Sequence, residues 1–234
     1  MGVTFLLVWR YVQQPSVRRH PARLTIGGAL RDYLGLLRRT ETLAAAGAYA
    51  LMFLSLALYV VYLPTWLTTA RGASAGQIAS LFFVGGIANA LTGPQAGKLS
   101  DRFGRKVLIL TSCFGLAAVT LSTTYLVRQL WVAYPLFFLT LMLVAARMSP
   151  FQALLSALAP DQQRGKLMSF AISIGQIGFA AGGVLAGAAY TRFGYVSNTV
   201  AAAAAVLLMA LLVWKFLPEP RREHLGRAAS EAGD

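Results

Sequence analysis

Residues 97–106 read Gly97-Lys98-Leu99-Ser100-Asp101-Arg102-Phe103-Gly104-Arg105-Lys106, and this densely charged stretch is walled on both sides by sequence with no charge at all. Between Arg71 and Lys98 lie 26 residues without Asp, Glu, Lys or Arg, and between Lys106 and Arg128 lie 21. A bilayer hydrocarbon core about 30 Å thick is crossed by ~20 apolar residues as helix. The decapeptide therefore reads as a surface loop between two membrane spans.

The same alternation continues outward. Glu41 to Arg71 encloses 29 uncharged residues, Arg128 to Arg147 18, Lys166 to Arg192 25, and Arg192 to Lys215 22. Six spanning helices are expected, near 44–66, 75–96, 107–127, 136–158, 168–190 and 196–217. Helix is the required form, because unpaired backbone groups in lipid cost several kcal/mol each. A β-barrel would show alternating segments of about ten residues, which are absent. Composition agrees: the 234 residues are 57% hydrophobic and 12% charged, with a mean hydropathy of +0.61. A soluble domain carries about 25% charged residues. Disorder is excluded by the hydrophobicity, and a disulfide framework by the single cysteine, Cys113. The fold class is all-α and polytopic.

The net charge of +13 would fit nucleic acid only on a soluble basic face. Here the cations punctuate apolar runs, and no nucleic-acid partner is expected. With six spans, one membrane side collects seventeen basic residues: Arg10, Arg18, Arg19, Arg23, Arg31, Arg38, Arg39, Lys98, Arg102, Arg105, Lys106, Arg164, Lys166, Lys215, Arg221, Arg222 and Arg227. The other side holds only Arg71, Arg128 and Arg192, with Arg147 left over. Basic loops stay cytoplasmic, so both termini are expected inside a cell (inner or plasma) membrane, with anionic lipid as a partner of the charge.

Three regions follow. In residues 1–40, Gly2–Trp9 is apolar but too short to span and reads as the tail of a severed helix. The basic stretch after it carries Leu24, Ile26, Leu30, Leu34 and Leu37 near helical spacing, as in a membrane-surface helix or a basic linker. Residues 41–217 form the six-helix bundle, and 218–234 a polar cytoplasmic tail.

The bundle repeats itself. Shifted by 90 residues, 85–104 matches 175–194 at nine of twenty positions, among them Gly85/Gly175, Gly93/Gly183, Arg102/Arg192, Phe103/Phe193 and Gly104/Gly194. With three helices per repeat, the copies enter the membrane in opposite senses, as a 3+3 inverted repeat. Lys98, Asp101, Arg105 and Lys106 become Ala188, Thr191, Tyr195 and Val196, so the copy expected outside loses most of its charge.

The decapeptide also resembles the signature loop of the major facilitator superfamily, Gly-x-Leu-x-Asp-Arg-x-Gly-Arg-Lys, at all seven fixed positions. Pro160, Arg164, Gly165, Met168 and Ser169 form a second, weaker likeness before the fifth span. The resemblance, from about residue 40 to 217, is to the C-terminal half, helices 7 to 12, and within the family to bacterial drug or sugar efflux permeases. It implies a secondary active transporter working by alternating access, with efflux of a small organic solute. Gly97, Asp101, Arg102, Gly104, Arg105 and Lys106 would then form a gating cluster that latches onto the other half, with Gly97 and Gly104 permitting a tight backbone. The N-terminal six helices, which would complete the substrate site, are expected elsewhere: in the same gene, in a separate chain, or in a second copy of this one. A truncated or inert half, or a non-transporting membrane subunit, is the alternative. No cofactor, metal site or enzyme activity is expected, because the loop acids Asp101 and Asp161 form no ligand cluster.

Arg147 is the residue most exposed to question. The fourth span either ends there, leaving 148–160 as an uncharged loop, or runs on to about 158 with Pro150 as a kink. In the second case Arg147 lies near mid-membrane and should face a cavity or partner. No acid lies in the six spans, so its counter-charge would come from the missing half or from an anionic substrate. Thr140 and Leu154 share its face. Asn89 and Gln176 lie on helices that line the cavity in the family; with Arg147 and Thr140 they are the candidate substrate residues. Tyr62, Trp66, Trp131 and Tyr134 fit an interfacial aromatic belt, and Gly178, Gly182, Gly183 and Gly187 fit close helix packing. With no carboxylate or histidine in the spans, any proton coupling would rest with the other half.

Overall fold

The computed structural model describes residues 40–158 and 161–217, the side chains of Asp161 and Gln162 excepted. The expectations for residues 1–39, Pro160 and 218–234 lie outside the described residues. Every regular element described is an α-helix: α1 Thr40–Val60, α2 Leu63–Arg71, α3 Ala75–Phe103, α4 Arg105–Leu126, α5 Leu130–Ala157, α6 Asp161–Phe193 and α7 Tyr195–Phe216. With α1 and α2 taken together, six helices are long and apolar enough to cross a membrane.

Local chemistry sets the ends. Ser74 starts α3 with a capping box: its hydroxyl accepts from the Gln77 N–H at 3.3 Å, and its own N–H donates to Gln77 Oε1 at 2.9 Å. The longest helices stop at glycines in the left-handed half of backbone space, Gly104 (φ 100°) and Gly194 (φ 74°), and in each case the next residue opens a new helix. The signature stretch is therefore not a loop. Lys98–Phe103 contains no helix breaker, so α3 carries on through it, and Gly104 alone makes the turn. Gly97 is helical and has no part in that turn.

The two breaks are 90 residues apart, as are the starts and ends of α4 and α7. Packing obeys the same exchange. The first span packs mainly on α6 and α7, and its counterpart α5 mainly on α3 and α4, while α4 and α7 pack on each other. The repeat extends to single contacts. A Cβ on Gly85 would lie 2.5 Å from Phe137 Cε1, and one on Gly175 2.6 Å from Tyr49 Cδ1. Equivalent glycines thus receive a ring from equivalent partner helices. Gly178 and Gly182 press on the α1 backbone at Ala50 and Leu54 and Gly187 on Tyr62, whereas Gly183 faces open space.

Buried side chains form one cluster toward the signature end, including Met52, Ile109, Cys113, Phe151 and Met209, and another toward the far end, including Leu58, Leu81, Phe137 and Ala202. Two buried bonds tie α1 to α7: Ser55 Oγ donates to Ala202 O at 2.9 Å, and the Tyr195 hydroxyl to Tyr59 O at 2.6 Å. At that end Trp66 stacks on Tyr195 and Tyr62 on Tyr190, and Tyr134 shares a 2.7 Å bond with Ser80, so these three are half-buried and, of the four expected belt residues, Trp131 is the one mostly exposed.

Candidate functional site

The last four carbonyls of a helix lack an internal donor and lie at the negative end of its dipole. The signature end of the bundle is organised around that fact. Arg164 Nε donates to Ser156 O at 3.2 Å in the last turn of α5, and Arg105 Nη1 donates at 3.3 Å to Ala153 O, one residue before the four terminal carbonyls. Lys106 Nζ donates to Trp214 O at 2.7 Å and Leu217 O at 3.0 Å, at the end of α7. The far end repeats the device, where Arg71 Nε donates to Val127 O at 2.6 Å, the C-cap of α4. Sequence reasoning had no access to these roles, because which helix end a cation reaches is set by tertiary packing.

The signature residues thus divide. Arg105 and Lys106 fasten α5 and α7 within this half. Asp101 is left outward: its side chain is 62% exposed, and its nearest cation, Arg105 Nη2, is 4.0 Å away. A pair that long and that exposed contributes little, so the carboxylate is available to a group from outside. Lys98 and Arg102 are exposed beside it, with Arg102 lying over the Phe103 ring at 5.5 Å.

The four candidate substrate residues separate as well. Asn89 on α3 and Gln176 on α6 are exposed, on helices that bury the least of their surface. Around them stand Gly86, Ala90, Ser173 and Ala180, also exposed or nearly so. Arg147 and Thr140 lie inside. Helix α5 runs through Pro150 to Ala157, which sets Arg147 well inside a helix long and apolar enough to cross a membrane, and its side chain is closed off from solvent. It is 0% exposed, and Nε, Nη1 and Nη2 all lack a hydrogen-bond partner among the described residues. Its titratable neighbour is the Cys113 thiol on α4. The side chain is enclosed by its own bundle, so an acid from another half cannot reach it in this conformation. Thr140 is spent locally, donating to Leu136 O at 2.8 Å. Among the described residues no cluster of His, Cys, Asp or Glu could hold a metal.

Six spanning helices in two inverted triplets, with a charged, helix-tying turn at one end, define a polytopic membrane protein of transporter architecture. Residues 45–233 match the Major Facilitator Superfamily, and the chain belongs to that family. It is 31% identical over 152 residues to the 4-hydroxybenzoate transporter PcaK of Pseudomonas putida, covering 64% of this chain and 33% of the relative. It is also 31% identical over 150 residues to the multidrug resistance protein MdtG of Citrobacter koseri, covering 64% and 36%. The matched part spans about a third of the length of these relatives.

Proposed function

We propose that this chain forms one half of a secondary active transporter whose other six helices are supplied in the same polypeptide, by a second chain or by a second copy. The observation that carries this reading is the contrast between its surfaces. Where α3 and α6 are exposed they set the side-chain amides Asn89 and Gln176 and the small Ala90 and Ala180 among large apolar residues such as Phe83, Leu91, Ile177 and Val184, whereas α4 and α7 expose Phe114, Leu121, Leu208, Leu211 and Trp214 and no side-chain amide. A polar side chain on a spanning helix is costly against lipid tails and turns instead toward a neighbouring helix or a water-filled cavity. The α3/α6 face is accordingly the one that meets another bundle and encloses substrate.

Asn89 and Gln176 then serve as hydrogen-bonding groups in an otherwise apolar wall. Asp101 serves as the acceptor for a cation of the other half, closing the signature end when the substrate site opens away from it. The transported solute is a small organic molecule. A phenolic acid such as 4-hydroxybenzoate is the first to try, given PcaK, and outward movement is favoured by the likeness to MdtG. The seventeen basic residues gathered on one side support an orientation with both termini in the cytoplasm.

The test is flux. Proteoliposomes holding this chain alone, a matching N-terminal six-helix partner alone, or both are loaded with labelled 4-hydroxybenzoate or a fluorescent drug. Movement above the protein-free leak only when both are present supports the proposal. No movement in any combination, with both chains folded and associated, supports a non-transporting subunit instead.

A further inference from the structure

We propose that the outer groove between α4 and α7 binds an anionic phospholipid, with one acyl chain along the groove and the phosphate held at Lys106 and Lys215. The groove has a volume of about 370 Å³ and is lined by Leu110 and Phe114 of α4 and Leu207, Ala210, Leu211 and Trp214 of α7. None of these side chains can anchor a polar group, apart from the indole N–H of Trp214 at one end. From Leu207 to Trp214 the wall rises about 10 Å along the helix axis, a length suited to the upper part of an acyl chain.

The Trp214 end of the groove carries positive charge. The Lys106 ammonium already sits there, bonded to the Trp214 and Leu217 carbonyls, with two of its three donors taken. Lys215 is exposed one residue beyond Trp214, its ammonium over the Phe216 ring at 5.4 Å. An apolar trench with cations at one mouth complements a lipid with a negative headgroup. It is unlike the close α1–α6 contact, which is made through Gly178 and Gly182: its rim is bulky at Phe114, Leu211 and Trp214, a shape that a flexible acyl chain fits better than a second helix does.

Trp214 supplies the readout. The chain carries Trp9, Trp66, Trp131 and Trp214. A form with the first three changed to phenylalanine is reconstituted in phosphatidylcholine containing either brominated phosphatidylglycerol or brominated phosphatidylcholine. Brominated phosphatidylglycerol is expected to quench Trp214 with about fivefold higher relative affinity, the contribution of one lysine near a charged headgroup. Lys215→Gln should bring the two lipids close to parity. A form retaining only Trp131 should show no preference, and sn-glycerol 3-phosphate in solution should not compete. Equal quenching by the two lipids, a preference that survives Lys215→Gln or is matched at Trp131, or full competition by glycerol phosphate would each overturn the proposal. If the three-tryptophan change unfolds the chain, native mass spectrometry of the unsubstituted protein decides: selective retention of phosphatidylglycerol supports the site, and equal retention of phosphatidylcholine refutes it.

Discussion

Arg147→Met should make the bundle more stable. Helix α5 is 28 residues long, about 42 Å at 1.5 Å per residue, enough to cross the hydrocarbon and both headgroup regions. Its midpoint falls between residues 143 and 144, so Arg147 is only about 5 Å from mid-membrane along the axis. A guanidinium at that depth costs about 2.5–3.5 kcal/mol on insertion scales, and little described offsets it: none of its nitrogens has a hydrogen-bond partner, and the neighbouring Cys113 thiol is a weak acceptor. Methionine fills most of the side-chain path with an unbranched apolar stem. The gap left by the missing atoms returns about 1 kcal/mol of cost, leaving a net gain of roughly 1.5–2.5 kcal/mol. Unfolding by SDS titration in mixed micelles, followed by far-UV circular dichroism, measures it. Arg147→Lys, which keeps a charge, should gain nothing. A loss of about 3–5 kcal/mol in Arg147→Met is what breaking a buried ion pair produces, and would refute the reasoning by showing that the guanidinium is paired.

Other outcomes follow from single contacts. Gly178→Ala drives a methyl group into the Ala50 backbone, where Ala50 Cα would be 3.0 Å away, and should destabilise by about 1–3 kcal/mol. Gly183→Ala, five residues along the same helix with nothing within 4 Å, should be neutral or gain up to ~1 kcal/mol of helix propensity; the same titration compares the two. Ser74→Ala removes the hydroxyl of the α3 capping box and should cost about 1 kcal/mol. Asp101→Asn should leave stability unchanged, because the 4.0 Å pair to Arg105 is exposed. In the assembled transporter it should slow flux about tenfold, the value of one charge-assisted bond, as read by the proteoliposome assay.

The spans were legible because lipid imposes a length and a composition that uncharged runs display directly. The repeat was legible because equivalent glycines do equivalent packing work, Gly85 against Phe137 and Gly175 against Tyr49. Helix ends were harder to place. Charged residues such as Lys98 and Arg102 signal the membrane surface but do not stop a helix, so α3 extends to Phe103 and leaves Gly104 as the only break. The candidate site was legible in its residue types and not in its directions. Asn89 and Arg147 both read as polar groups inside spans, yet one is exposed and the other enclosed. Arg105 and Lys106 read as parts of a latch between halves, yet their donors reach Ala153, Trp214 and Leu217 within this half. Only packing decides which way a side chain on a spanning helix turns.

The inverted repeat places two equivalent arginines, Arg102 and Arg192, at the C-terminal ends of α3 and α6. Both are exposed. In a Cys113→Ser background, Arg102→Cys and Arg192→Cys are made separately and treated with a membrane-impermeant maleimide in sealed, right-side-out vesicles. The account predicts that the cysteine at 192 reacts at once and that the cysteine at 102 reacts only after the membrane is opened. Labelling of both from the same side would contradict it.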